Sequence, residues 1–170
     1  MRAKFPWVKF FLGFGLYLFF HQIHDLLPGT IIGTIFGESI SSVYAHMKML
    51  FYAYLVLSMI DYFRFRKSGL PGSFFSARML ILAAVPWMMI AIYYSVEAMG
   101  ITLPRAVDLT WAILMTGFGL YLSIRLEEPL ESMELRPALR SLILIAFLGA
   151  LITYVGFSFH VPDNFFIALD

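Results

Sequence analysis

Five apolar blocks, each close to the ~20 residues an α-helix needs to cross roughly 30 Å of hydrocarbon, leave this chain little else to fold into. They run over 6–26, 43–63, 74–98, 106–125 and 139–160. Short connections separate them: Pro28-Gly29, Gly69 to Gly72, Gly100 to Pro104, and the polar stretch Glu127 to Pro137. The expectation is an all-α protein, a polytopic transmembrane helix bundle of five spans in which residues 1–170 form a single domain. Composition agrees, with 61% hydrophobic and 14% charged residues against about a quarter charged in soluble domains. Segment 30–42, with Gly33, Gly37, Glu38 and three serines, reads equally as a loop, a re-entrant piece or an early start of the second span.

Two classes fall away at once. A net charge of +1 gives no case for nucleic acid. The absence of cysteine removes disulfides, thiol nucleophiles and cysteine metal sites, so any metal would need His, Asp or Glu. The N-terminus imitates a signal peptide, with Arg2, Lys4 and Lys9 before the run Phe10 to Phe20, but no small-residue cleavage site follows. It is read as an uncleaved first span.

Basic residues set the expected orientation. Arg2, Lys4, Lys9, Arg64, Arg66, Lys67, Arg78, Arg125, Arg136 and Arg140 fall on one side of the bundle, leaving Lys48 and Arg105 of the twelve for the other. By the positive-inside rule the N-terminus is cytoplasmic and the C-terminus outside, with the chain a multi-pass protein of the cell membrane. Its partners are then membrane lipids, with a homo-oligomer or a membrane partner subunit left open.

That orientation gathers ionisable groups on the outer rim: His21, His24, Asp25, Glu38, His46, Glu97, Asp108, His160 and Asp163. Charge at membrane depth is costly and usually faces the bundle interior or a watery cavity. His21 and His24 are three apart and His21 and Asp25 four apart, which puts all three on one helix face. Ser39, Ser42 and His46 form a second stripe. Three imidazoles can hold zinc with one position open for water, so His21, His24 and His46 are the candidate metal ligands. Glu38 or Asp25 would act as base or orienting partner, and Ser42 completes the candidate catalytic set. The bland alternatives stand beside this: helix ends at the headgroup level commonly carry polar residues, and Lys48 can snorkel outward.

Other features read as structural. Asp61 and Arg64, three apart, form a helix-end ion pair. Pro86, mid-helix, removes one backbone hydrogen bond and kinks the third span. The hexapeptide Gly-Phe-Gly-Leu-Tyr-Leu at 13–18 and 117–122 invites comparison with the inverted repeats of transporters, but its flanks do not match. Coincidence, or shared small-residue packing at the glycines, is the favoured reading.

The stretch Phe36 to Phe51, FGESISSVYAHMKMLF, resembles an uncharacterised family of small polytopic prokaryotic membrane proteins. Their signature is a serine, a following aromatic, a histidine and a lysine at the head of a helix. The resemblance implies matching roles for Ser42, Tyr44, His46 and Lys48, with His21 matching a histidine that ends the preceding span. The family's Asn-Glu before the serine is here Ile40-Ser41. A weaker likeness, carried by Ser42 and His46 as Ser-x-x-x-His, is to the membrane hydrolases that include alkaline ceramidases and adiponectin-receptor relatives; their late His-x-x-x-His is missing. That likeness implies zinc held by histidines and a lipid amide or ester as substrate. Three functions follow: a metal-dependent lipid hydrolase at the outer rim, a small transporter or channel subunit, or a non-catalytic membrane scaffold.

Overall fold

In a computed structural model the described residues form six helices: α1 (Trp7–Leu26), α2 (Ile31–Phe36), α3 (Val43–Phe65), α4 (Phe74–Ala98), α5 (Arg105–Glu131) and α6 (Pro137–Phe159). It describes residues 6–37, 42–101 and 103–159, and no strand occurs among them. Local chemistry sets several helix starts. Thr30 caps α2 by accepting the Gly33 amide at 3.0 Å, Ser42 caps α3 by accepting the Ala45 amide at 3.1 Å, and Pro137 occupies the first position of α6. Segment 30–42 is therefore helical over 31–36, while residues 38–41 lie outside the described residues.

Among the described residues four helices, α3 to α6, are long and apolar enough to cross a membrane, which fits a multi-pass membrane protein. α1 is not among them, because His21, Gln22, His24 and Asp25 make its last turns polar. α5 runs on past the expected end at 125, through Pro129 to Glu131. The proline forgoes one helix hydrogen bond. Glu127 and Glu131, four apart on that last stretch, both pair with Arg78 of α4, which offsets the loss.

The bundle is arranged around α3. Its most apolar window is 78% buried against 17% for α6. A helix enclosed on every side carries no single apolar stripe. α1 lays Gly13, Tyr17, Phe20 and Ile23 against the core and turns Val8, Phe11, Leu18 and Phe19 outward. Exposed Leu142, Ile145 and Ile152 give α6 a similar apolar outer face, the surface a bilayer would wet.

Side-chain size sets the spacing between helices. A Cβ at Gly13 would stand 2.6 Å from Leu57 Cδ1, and one at Gly119 would stand 2.7 Å from Leu50 Cδ2, so α1 and α5 approach α3 closely at those two points. α3 meets α6 instead through rings: Tyr44 on Tyr154 at 5.5 Å, Phe51 on Tyr154 at 4.8 Å and Phe51 on Phe147 at 6.1 Å between centroids. The hexapeptide echo does not correspond structurally. The packed glycine is the first of its copy in α1 and the second in α5, while Gly15 and Gly117 face open space.

Candidate functional site

Polar side chains gather at both ends of the bundle, about 22 Å apart along α3 at 1.5 Å per residue from His46 to Asp61. At the far end the alternate positions Ser42, Tyr44, His46 and Lys48 divide by helical geometry into two faces, each a pair four residues apart. The Ser42/His46 face looks at α1, where the Tyr17 hydroxyl shares a 2.6 Å hydrogen bond with His46 Nδ1 and the His21 ring lies 5.7 Å from that of His46. The Tyr44/Lys48 face looks at α6 and α2. Tyr44 donates to the Thr153 carbonyl at 3.1 Å, and Lys48 donates to the Thr34 carbonyl at 3.2 Å and to Ser158 Oγ at 3.1 Å. Lys48 is only 4% exposed, so it ties three helices together instead of snorkelling outward.

The other expected residues part company here. His24 lies against the end of α2. Gly37, which closes α2, sits so near the His24 backbone that a Cβ there would come within 2.6 Å of its nitrogen. The buried His24 Nδ1 has no hydrogen-bond partner among the described residues. Asp25 is exposed. Ser42 Oγ is engaged as the helix cap. Asp108 accepts from Tyr93 at 2.5 Å. Glu38, Ser39, His160 and Asp163 lie outside the described residues, as does the side chain of Glu97. Among the described residues no three His, Asp or Glu side chains form a group able to hold a metal ion, so His21, His24 and His46 do not come together as a ligand set.

The opposite, basic end holds a denser site that local sequence reading missed. Asp61 pairs with Lys9 of α1 and Arg78 of α4, not with Arg64. Lys9 also donates to Glu127 at 2.6 and 2.7 Å, and Arg78 reaches Glu127 as well as Glu131, the latter at 2.7 Å. The Tyr54 hydroxyl accepts from Arg78 at 2.8 Å and donates to Glu127 at 3.0 Å. Two cations thus hold three carboxylates, with side-chain exposures of 8–17%. These residues come from α1, α3, α4 and α5, each within about two turns of a helix end. Nearby, the Ser73 hydroxyl donates to the Met133 carbonyl and joins the two connections of this end.

Beside this network opens a cavity of about 620 Å³, within the range of small-molecule sites. Its walls are both apolar, including Leu12, Leu57, Ile60 and Ile124, and charged, with Arg64, Arg125 and Glu128 added to the network. Val8, Leu12 and Ile60 are exposed and leave one side apolar and open. Between the two ends the core is made of such residues as Leu50, Phe51, Val85, Met89 and Leu120. Of the polar groups buried there, Thr116 donates to the Ala112 carbonyl at 3.0 Å and Ser123 to that of Gly119 at 2.8 Å, while the Tyr52 and Tyr154 hydroxyls have no hydrogen-bond partner among the described residues. No family model, curated protein or solved structure matches this chain.

Proposed function

We propose that this chain is a five-span protein of the cell membrane, basic end in the cytoplasm, that binds an amphiphile from the bilayer in the cavity at that end without transforming it. The single observation that carries this reading is a cavity combining an apolar side open toward the bundle's outer surface with a charged, largely buried floor. A polar head and an acyl chain need those two environments side by side. A transport path finds less support, because no charged side chain lies on the helices between the two polar ends. Native mass spectrometry of protein released from membranes in mild detergent tests the reading: one phospholipid stays bound per chain, and Leu12→Trp, which fills the apolar side, abolishes retention. Equal retention by both proteins would sink it.

Orientation has its own test, made simple by a chain without cysteine. A membrane-impermeant maleimide applied to intact cells labels Ile101→Cys in the third connection and not Ser68→Cys in the second. The reverse pattern, or equal labelling, overturns the orientation.

A second reading, zinc at the far end for lipid hydrolysis, is favoured by one observation, the adjacent His21 and His46 rings. It requires further ligands from residues such as Glu38 or His160. Purified protein lacking stoichiometric zinc, and unchanged in metal content by His46→Ala, would remove it.

A further inference from the structure

The charges around the basic-end cavity are layered, and the layering identifies a head group. Deep in the cavity Lys9 and Arg78 face Asp61, Glu127 and Glu131, two cations against three carboxylates, so the floor carries an excess negative charge. At the mouth stand exposed Arg64, Arg125 and Glu128, an excess positive charge. Neither mouth arginine has a carboxylate within salt-bridge distance among the described residues; Arg64 lies over the Phe65 ring at 5.2 Å and Arg125 over Tyr121 at 6.0 Å. Their guanidinium forks remain available to a phosphate. Summed over the lining, four cations balance four carboxylates, so a ligand with net charge leaves the site unbalanced and a zwitterion does not.

We infer that the cavity takes a zwitterionic phospholipid whose phosphate meets Arg64 and Arg125 and whose primary ammonium reaches the carboxylate-rich floor at Glu131 and Glu127, as phosphatidylethanolamine can. This inference rests on the amphiphile-binding reading above. The polarity of the charge layers matches the connectivity of that head, in which the phosphate lies next to the glycerol and the ammonium at the free end. The floor also distinguishes a primary from a quaternary ammonium. A quaternary head is best held by open aromatic faces, but the two phenylalanines lining the cavity already carry guanidiniums, Arg64 over Phe65 and Arg78 over Phe74 at 5.0 Å. Carboxylate oxygens, by contrast, accept hydrogen bonds from an N–H group. The acyl chains leave along Val8, Leu12 and Ile60.

The test uses full-length protein, stripped of lipid and titrated with chain-matched phosphatidylethanolamine, phosphatidylcholine and phosphatidylglycerol while native mass spectrometry reads occupancy. Phosphatidylethanolamine is expected to bind about tenfold more tightly than either, the scale of one charge-assisted hydrogen bond. The double variant Arg64→Gln/Arg125→Gln, altering two exposed side chains, should keep its melting midpoint and lose affinity for all three lipids. Glu131→Gln should selectively erase the preference for the primary ammonium; if that variant does not fold, the lipid ranking on the native chain and the double arginine variant still decide. Phosphatidylglycerol or phosphatidylcholine binding as well as phosphatidylethanolamine, with Leu12→Trp still blocking retention, overturns the zwitterion assignment and leaves the lipid site standing. Retention of no lipid, or retention indifferent to Leu12→Trp, overturns the site itself.

Discussion

Replacing Arg78 with methionine should destabilise the bundle more than any other single change at the basic end. The guanidinium touches Asp61, Glu127, Glu131 and the Tyr54 hydroxyl, and its side chain is 8% exposed. Without it, three carboxylates would share Lys9 alone. Removing one partner from a buried ion network costs about 3–5 kcal/mol, because the remaining charges stay buried without compensation. The low exposure of every member keeps solvent and salt screening small. At roughly 2–4 °C per kcal/mol for a chain of this size, the thermal midpoint falls by about 6–20 °C. The three tryptophans provide an intrinsic fluorescence signal in detergent. Arg78→Lys, which keeps the charge but loses the planar fork, should recover only part of the difference. Arg78→Met combined with Glu127→Gln, which restores charge balance, should be more stable than Arg78→Met alone. A fall of under about 2 °C for Arg78→Met, well below the range expected for a buried pair, would show that the network is solvated and that this reasoning fails.

Two further outcomes follow from packing and hydrogen bonding. Gly119→Val should lose about 1–3 kcal/mol by overpacking against Leu50 and Met89, whereas Gly117→Val, facing open space, should stay within about 0.5 kcal/mol; equal midpoints for the two variants would contradict the close approach. Tyr17→Phe should cost about 0.5–1.5 kcal/mol through the bond to His46 Nδ1, and an unchanged midpoint would mean that the bond contributes nothing.

How far the sequence could be read depended on whether the determining contact was local. The helix starts at 7, 43 and 74 come from neighbouring residues, and there expectation and structure agree to within a residue or so, whereas Ser42, expected in a catalytic set, serves as the cap of α3. Asp61 was assigned to Arg64 because register along one helix supplies only local partners. Its actual partners, Lys9 and Arg78, come from other helices, and Lys9 reaches Glu127 across 118 positions. A signal was present: two cations and three carboxylates, each near the end of an apolar block on the same side. The same limitation explains α5, whose extension past Pro129 is held by Arg78 of another helix. It explains Lys48 too, which looked like an outward-reaching lysine until Thr34 and Ser158 were placed around it. Histidine spacing put His21, His24 and Asp25 on one helix face, but of these it is the His21 ring that lies beside His46, while His24 lies against the end of α2.

The enclosed position of α3 has a consequence for biogenesis. It is the least apolar of the four candidate spans, with mean hydropathy 1.4 against 2.3 for α6, and it carries His46, Lys48 and Asp61. Partitioning such ionisable groups alone into lipid costs a few kcal/mol for each residue near mid-depth, less toward the ends. The partners that offset this cost come in part from helices made earlier, α1 giving Tyr17 to His46 and Lys9 to Asp61 and α2 giving the Thr34 carbonyl to Lys48, so α3 is expected to enter the bilayer together with them.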